Sequence, residues 1–298
     1  MSKTSYSKPP ISYSEQLELL ETRGLKILNH KKAEHLLKNI SYYRLSGYWY
    51  PLLENKSEHK FKPEATFETA FNIYKFDREL RLLVLGELEK IEISVRANMI
   101  YNISQEHGPF WFLNKEIFNS EGGLQKSLES IKKEYSRSDE EFIKAFGSKY
   151  NDAYPPSWMI LEITSFGTLS ILFSNLRPGK TKREISNEYG ISNKVFSSWL
   201  HSIVYLRNVC AHHARFWNRV MSVSPKMPKS TNLTWLHNQN IPTNKSYYVL
   251  SMILYLSQTI NPNNTIGQRF ALLLKKYPNI DPVAMGFPMD WENEPLWK

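Results

Sequence analysis

Arg207, Asn208 and His212 fall within the six-residue stretch RNVCAH. The apolar periodicity around it predicts a helix from about Asn193 to Arg219, with Ser192 or Asn193 as its cap. On a helix, Asn208 and His212 are four apart and lie one above the other. Arg207 is one step, about 100°, around from Asn208. A single face also collects Phe196, Leu200, Ile203, Arg207, Cys210, Ala214 and Trp217, all apolar or small except Arg207. A guanidinium on such a stripe must snorkel to water or meet an anion, because burying it unpaired is expensive. Cys210, Ala211 and Ala214 leave room for another helix or a ligand backbone, and His213, Arg215 and Arg219 add positive charge.

This set of side chains can cut RNA. An imidazole can take a proton from a ribose 2′-hydroxyl or give one to the leaving 5′-oxygen. A guanidinium can stabilise the charge that develops on a pentacoordinate phosphorus. The Asn208 amide can orient the imidazole or bind a phosphate oxygen. One imidazole does not easily act as acid and base at once, so two copies of the helix facing each other, a homodimer, would complete the site. The plainer reading pairs Arg207 with Glu87, Glu89 or Glu92 and leaves His212 half exposed.

The longest periodic stretch runs from about Thr66 to Gln105 without proline, with a kink allowed at Gly86. On it, Glu92 and Arg96 are four apart in the favourable order for an ion pair. Either they form an ordinary exposed pair, or Glu92 orients Arg207 or His212 and Arg96 touches phosphate. Shorter helices are expected from Ser14 to about Gly24, and from His30 to Ile40. One or two exposed helices follow within Gly123 to Tyr150. One apolar helix is expected from Ser157 to Leu176, then helices from Lys245 to Ile260 and Thr265 to Lys276. Ser41 to Leu53 is aromatic-rich and broken by Gly47 and Pro51; Arg44 there could contact RNA beside stacking tyrosines, or the block packs the N-terminal helices. Trp158 is assigned to packing, and Glu162 either pairs with Arg44 or Arg96 or faces solvent. With no strand series, the fold class is all-α: a helical bundle with an N-terminal helical extension over 1–60 and a main domain over 61–298 that carries additional C-terminal helices.

With 298 residues, 41% of them hydrophobic, the chain can bury a sizeable core. Its formal charge of +9 favours polyanionic partners, nucleic acid or an anionic membrane surface. One cysteine, Cys210, excludes an internal disulfide framework and fits a reducing, cytoplasmic setting. No run of about 18 apolar residues predicts a membrane span. His212 and His213 are adjacent and point apart, so no metal site is expected, and no phosphate loop or nucleophile elbow is present. No cofactor is called for.

RNVCAH resembles the Arg-Asn-x3-His motif of HEPN ribonuclease domains. From about Pro9 to Trp217 the chain resembles the Abi-like abortive-infection family of bacterial phage-resistance proteins. The resemblance rests on SYYRLSGYWYPL, FDRELRLLVLGELEKIEISVRA, PPSWMILEITSFGTLS and LRNVCAHHARFWNR, in that order. It implies a HEPN-like bundle, dimerisation and metal-independent cleavage that leaves a 2′,3′-cyclic phosphate and a 5′-hydroxyl. By position, Arg207 and His212 match the catalytic pair, and Asn208 the polar residue that follows the Arg. A small structured RNA is a further partner it suggests. Some relatives carry a modifiable Tyr two residues after the His; here Ala214 stands, so control by that route is not expected. The competing function is a non-catalytic RNA-binding or protein-interaction module in which the same residues hold phosphate or a dimer interface.

Overall fold

The computed structural model describes residues 5–298. It is all-α among these residues, apart from one two-stranded ladder. The first helix, α1 (Tyr13–Thr22), begins one cap earlier than Ser14. Ser12 accepts from the Glu15 amide, and the Glu15 carboxylate accepts from the Ser12 amide, closing a capping box. After α2 (His30–Ile40), the aromatic block forms a helix, α3 (Tyr42–Trp49), straight through Gly47. Pro51 then sits in a single 3-10 turn that leads into β1 (Leu53–Asn55) and its antiparallel partner β2 (Lys60–Phe61).

The long stretch is one continuous helix, α4 (Phe67–His107). The chain divides within it into two compact units. One comprises the residues up to Leu80 with Leu272–Asp281; the other comprises Arg81–Ala271 with Pro282–Lys298. In the first unit Leu20, Leu25, Leu37, Leu45, Trp49, Phe61 and Phe67 form the core.

The second unit holds RNVCAH. It contains α5 (Glu121–Arg137), α6 (Glu141–Lys149), α7 (Ser157–Ile160), α8 (Phe166–Asn175), α9 (Lys180–Asn187), α10 (Asn193–Ala211), α11 (Ser246–Ile260) and the first part of α12 (Ile266–Lys276). The apolar run from Ser157 to Leu176 is therefore not one helix. It breaks at Leu161–Ser165, because Ser165 turns extended and its hydroxyl caps the Thr168 amide, starting α8 afresh. Trp158 on α7 is half exposed, so it does not serve as a core packer. The basic piece after α8 forms a helix of its own, α9.

α11 is buried from Ser246 through Ser257, as a helix apolar on every side must be. α10 packs on α8 and α9 and buries Phe196, Trp199, Leu200, Ile203 and Leu206. Trp199 meets Tyr255 edge-on at 5.6 Å and donates to the Lys226 carbonyl at 2.8 Å. Tyr189, between α9 and α10, stacks on Phe196 at 4.6 Å, and its hydroxyl bonds Ser94 of α4 at 3.0 Å. Burial pushes that phenol up to about 12, so it stays a neutral bridge between α4 and the start of α10.

Candidate active site

The buried stripe of α10 runs through Ile203, Leu206, Val209 and Cys210. From Ile203, both Leu206 at i+3 and Arg207 at i+4 fit a helical period; packing takes the leucine. Arg207 is thereby turned off the apolar face into solvent. Cys210 is buried and packed.

The helix ends at Ala211, eight residues short of Arg219. His212 is its cap, and its amide donates to the Asn208 carbonyl at 3.0 Å. His213 takes φ = +56° and donates to the Cys210 carbonyl at 3.0 Å, while the Ala214 amide reaches the Val209 carbonyl at 2.9 Å. These are the paired bonds of a Schellman stop. Its left-handed position usually holds glycine, and histidine is among the side chains that tolerate it better than most. Ala214 and Trp217 therefore lie beyond the helix and do not extend its face, although Trp217 is buried in the following segment. Arg207, Asn208, Ala211, His212 and His213 are all exposed at this end of α10.

Arg207 lines an open cleft with Leu85, Leu88, Glu89, Glu92, Ile93 and Arg96 of α4. Burial raises the Glu92 carboxyl above its ordinary 4.5, and the positive charges of Arg96 and Arg207 only partly offset that. The Glu92–Arg96 pair is not the exposed pair its spacing allowed. Arg96 is 12% exposed and donates to Glu92 at 2.8 Å, to the Glu162 carbonyl at 2.6 Å and to the Thr164 carbonyl at 3.1 Å. The Glu162 carboxylate lies 3.6 Å away and is half exposed. Arg96 therefore clamps the break between α7 and α8 onto α4, and its guanidinium is largely committed to that clamp.

The segment after α10 is tied back by Arg219. Its Nε donates to the Tyr205 hydroxyl at 3.0 Å, and one Nη reaches the Arg215 carbonyl at 3.4 Å. Burial would raise the Tyr205 phenol, but bonds to Ser222 and Arg219 outweigh it and hold the group below its usual value. Arg215 is partly buried, and Arg44 lies on α3 in the first unit. Among the predicted residues, the structure brings Glu92, Arg96 and Arg207 to one cleft. It places Asn208, His212 and His213 at the adjoining helix end. Leu85 and Ile93, cleft residues the sequence did not single out, carry no chemical signal of their own.

A cationic Arg207 near an amide and an exposed imidazole can receive a phosphodiester, in a cleft that Glu89 and Glu92 also line. No group of three or more metal-binding side chains occurs among the described residues. No helix among them is long and apolar enough to cross a membrane. The family described as Abi-like protein matches residues 35–218, which include all but the last residue of LRNVCAHHARFWNR. No curated protein matches the chain. No solved structure matches it either.

Proposed function

The chain belongs to the Abi-like protein family, and from that premise we propose that it is a metal-independent, HEPN-type endoribonuclease of bacterial abortive-infection defence. The observation that carries the reading is the exposure of Arg207, Asn208 and His212 together at the end of α10, with Arg207 beside Glu89 and Glu92. In the proposed reaction the ribose 2′-oxygen attacks phosphorus and the P–O5′ bond breaks. The 2′-hydroxyl proton passes to a base, and an acid protonates the leaving 5′-oxygen. The products are a 2′,3′-cyclic phosphate and a 5′-hydroxyl. His212 supplies acid–base catalysis, Arg207 stabilises the charged transition state, and Asn208 orients.

A second copy supplies the second imidazole. Supporting that arrangement, Leu82 and Ile93 of α4 are more than half exposed, and Ile93 lines the cleft beside Arg207. Water-exposed apolar side chains of this size at a site edge suit an interface between copies. The basic charge also suits a small structured RNA as a cytoplasmic partner.

The test is incubation of purified wild type and His212→Ala with total RNA in EDTA. Wild type cleaves, and His212→Ala loses about 100-fold or more of the rate while keeping RNA affinity, as expected for an acid–base group. A binding module would leave RNA intact with both proteins.

A further inference from the structure

On the α9 side of the second unit lies a second cleft, lined among others by Ile117, Leu176, Arg177, Lys180, Thr181 and Lys182. From it we infer a binding site for a phosphate monoester at the N-terminus of α9. The inference is independent of the RNA-cleavage reading and uses none of its residues.

Three observations converge. First, α9 starts without a side-chain cap: Gly179 holds the N-cap position, and the first helical bond runs from the Arg183 amide to the Gly179 carbonyl at 3.3 Å. The amides of Lys180, Thr181 and Lys182 have no hydrogen-bond partner among the described residues. Such amides, at the positive end of the helix dipole, bind anionic oxygen. Second, Thr181 is only 7% exposed, and its Oγ1 has no hydrogen-bond partner. A buried hydroxyl left unbonded costs free energy, and Thr181 is among the residues that line the cleft. Third, the charge is of one sign on this wall. Lys182 is buried, with its Nζ held by the Ser174 and Leu176 carbonyls at 2.9 and 2.7 Å. Two of its three donors are used, and the cation stays beside the helix start. Arg177 spends its Nε on the Phe118 carbonyl, and Lys180 is held only by a 3.7 Å surface contact to Glu184.

A phosphate monoester matches this set better than a carboxylate. Three amides, a hydroxyl and two exposed cations exceed what two carboxylate oxygens can accept, whereas a dianionic phosphate accepts from all of them. The exposed Glu106 and Glu116, with His107, also line the cleft. They repel a polyphosphate and leave room for acceptors of a sugar hydroxyl. The occupant is therefore a single phosphoryl group, free or on a nucleoside.

Titration calorimetry of the full chain tests this with three probes: inorganic phosphate, adenosine monophosphate and adenosine. Saturable binding of phosphate or the nucleotide, and none of adenosine, is expected. Thr181→Val, nearly isosteric, should weaken it about tenfold, the loss of one charge-assisted hydrogen bond. Lys180→Gln, at an exposed position that does not disturb the core, should weaken it several-fold. Affinity for the nucleotide above that for phosphate would assign a nucleoside monophosphate; equal affinities would assign the free ion. Absence of saturable binding of both phosphate and the nucleotide, adenosine binding as tightly as the nucleotide, or unchanged affinity in Lys180→Gln and Thr181→Val each overturns the site.

Discussion

Replacing Arg96 by methionine removes the clamp and keeps the side chain's apolar stem. Three charge-assisted hydrogen bonds disappear, to the Glu92 carboxylate and the Glu162 and Thr164 carbonyls. Bonds to charged groups contribute about 1.5–3 kcal/mol each and do not add. Arg96 is 12% and Glu92 21% exposed, so water re-satisfies part of what is lost. A loss near the lower bound for a broken buried pair, about 3 kcal/mol, is expected. For a unit of this size, that lowers the thermal midpoint by about 6–12 °C in a circular-dichroism melt. Glu92→Gln on the Arg96→Met background should cost less than on the wild type, because the carboxylate it removes is already unpaired. If the clamp occupies Arg96, the salt dependence of RNA binding should be unchanged in this variant. A stability loss under about 1 kcal/mol, or a shallower salt slope, refutes the clamp and returns Arg96 to phosphate contact.

Glu92→Gln also has a pH signature. The folded carboxyl sits above 4.5, so between 4.5 and its raised value the folded state holds more proton than the unfolded one. Stability therefore falls as pH rises through that window, and the Gln variant should show a flatter curve there; an unchanged slope in urea titrations contradicts this. Glu87 is buried and bound by Lys90 at 2.9 Å, Arg269 at 3.3 Å and Ser257 at 3.2 Å. Glu87→Ala should cost about 3 kcal/mol or more by urea unfolding. At the left-handed stop, His213→Gly should keep the fold and cleavage, whereas β-branched His213→Val should destabilise by about 1–2 kcal/mol. If Val is as stable as His, the helix does not stop there. Ile93→Lys should convert a dimer to monomers in sedimentation and abolish cleavage; a dimer that persists removes the proposed interface.

The long helix was legible in the sequence, and so was the helix that carries RNVCAH. Apolar spacing along α4 and the start of α10 follow directly from one-sided burial. The end of α10 was not, because its stop is a histidine in a left-handed conformation and no glycine or proline marks it. The inward face was misread by one position, since Leu206 and Arg207 fit the period equally and only packing decides. The break before α8 did leave a signal, Ser165 three residues before Thr168, that the apolar run obscured. Arg96 shows what spacing cannot reach: Glu92, four residues away, was readable, but the carbonyls of Glu162 and Thr164 are brought in by the tertiary fold.

The most direct test of the proposed chemistry is the identity of the RNA ends. Wild-type protein in EDTA should leave 3′ fragments that begin with a 5′-hydroxyl and 5′ fragments closed by a 2′,3′-cyclic phosphate, both absent with His212→Ala. Intact RNA with the wild type, or fragments bearing 5′-phosphates and 3′-hydroxyls, would contradict a 2′-hydroxyl attack directed by Arg207 and His212.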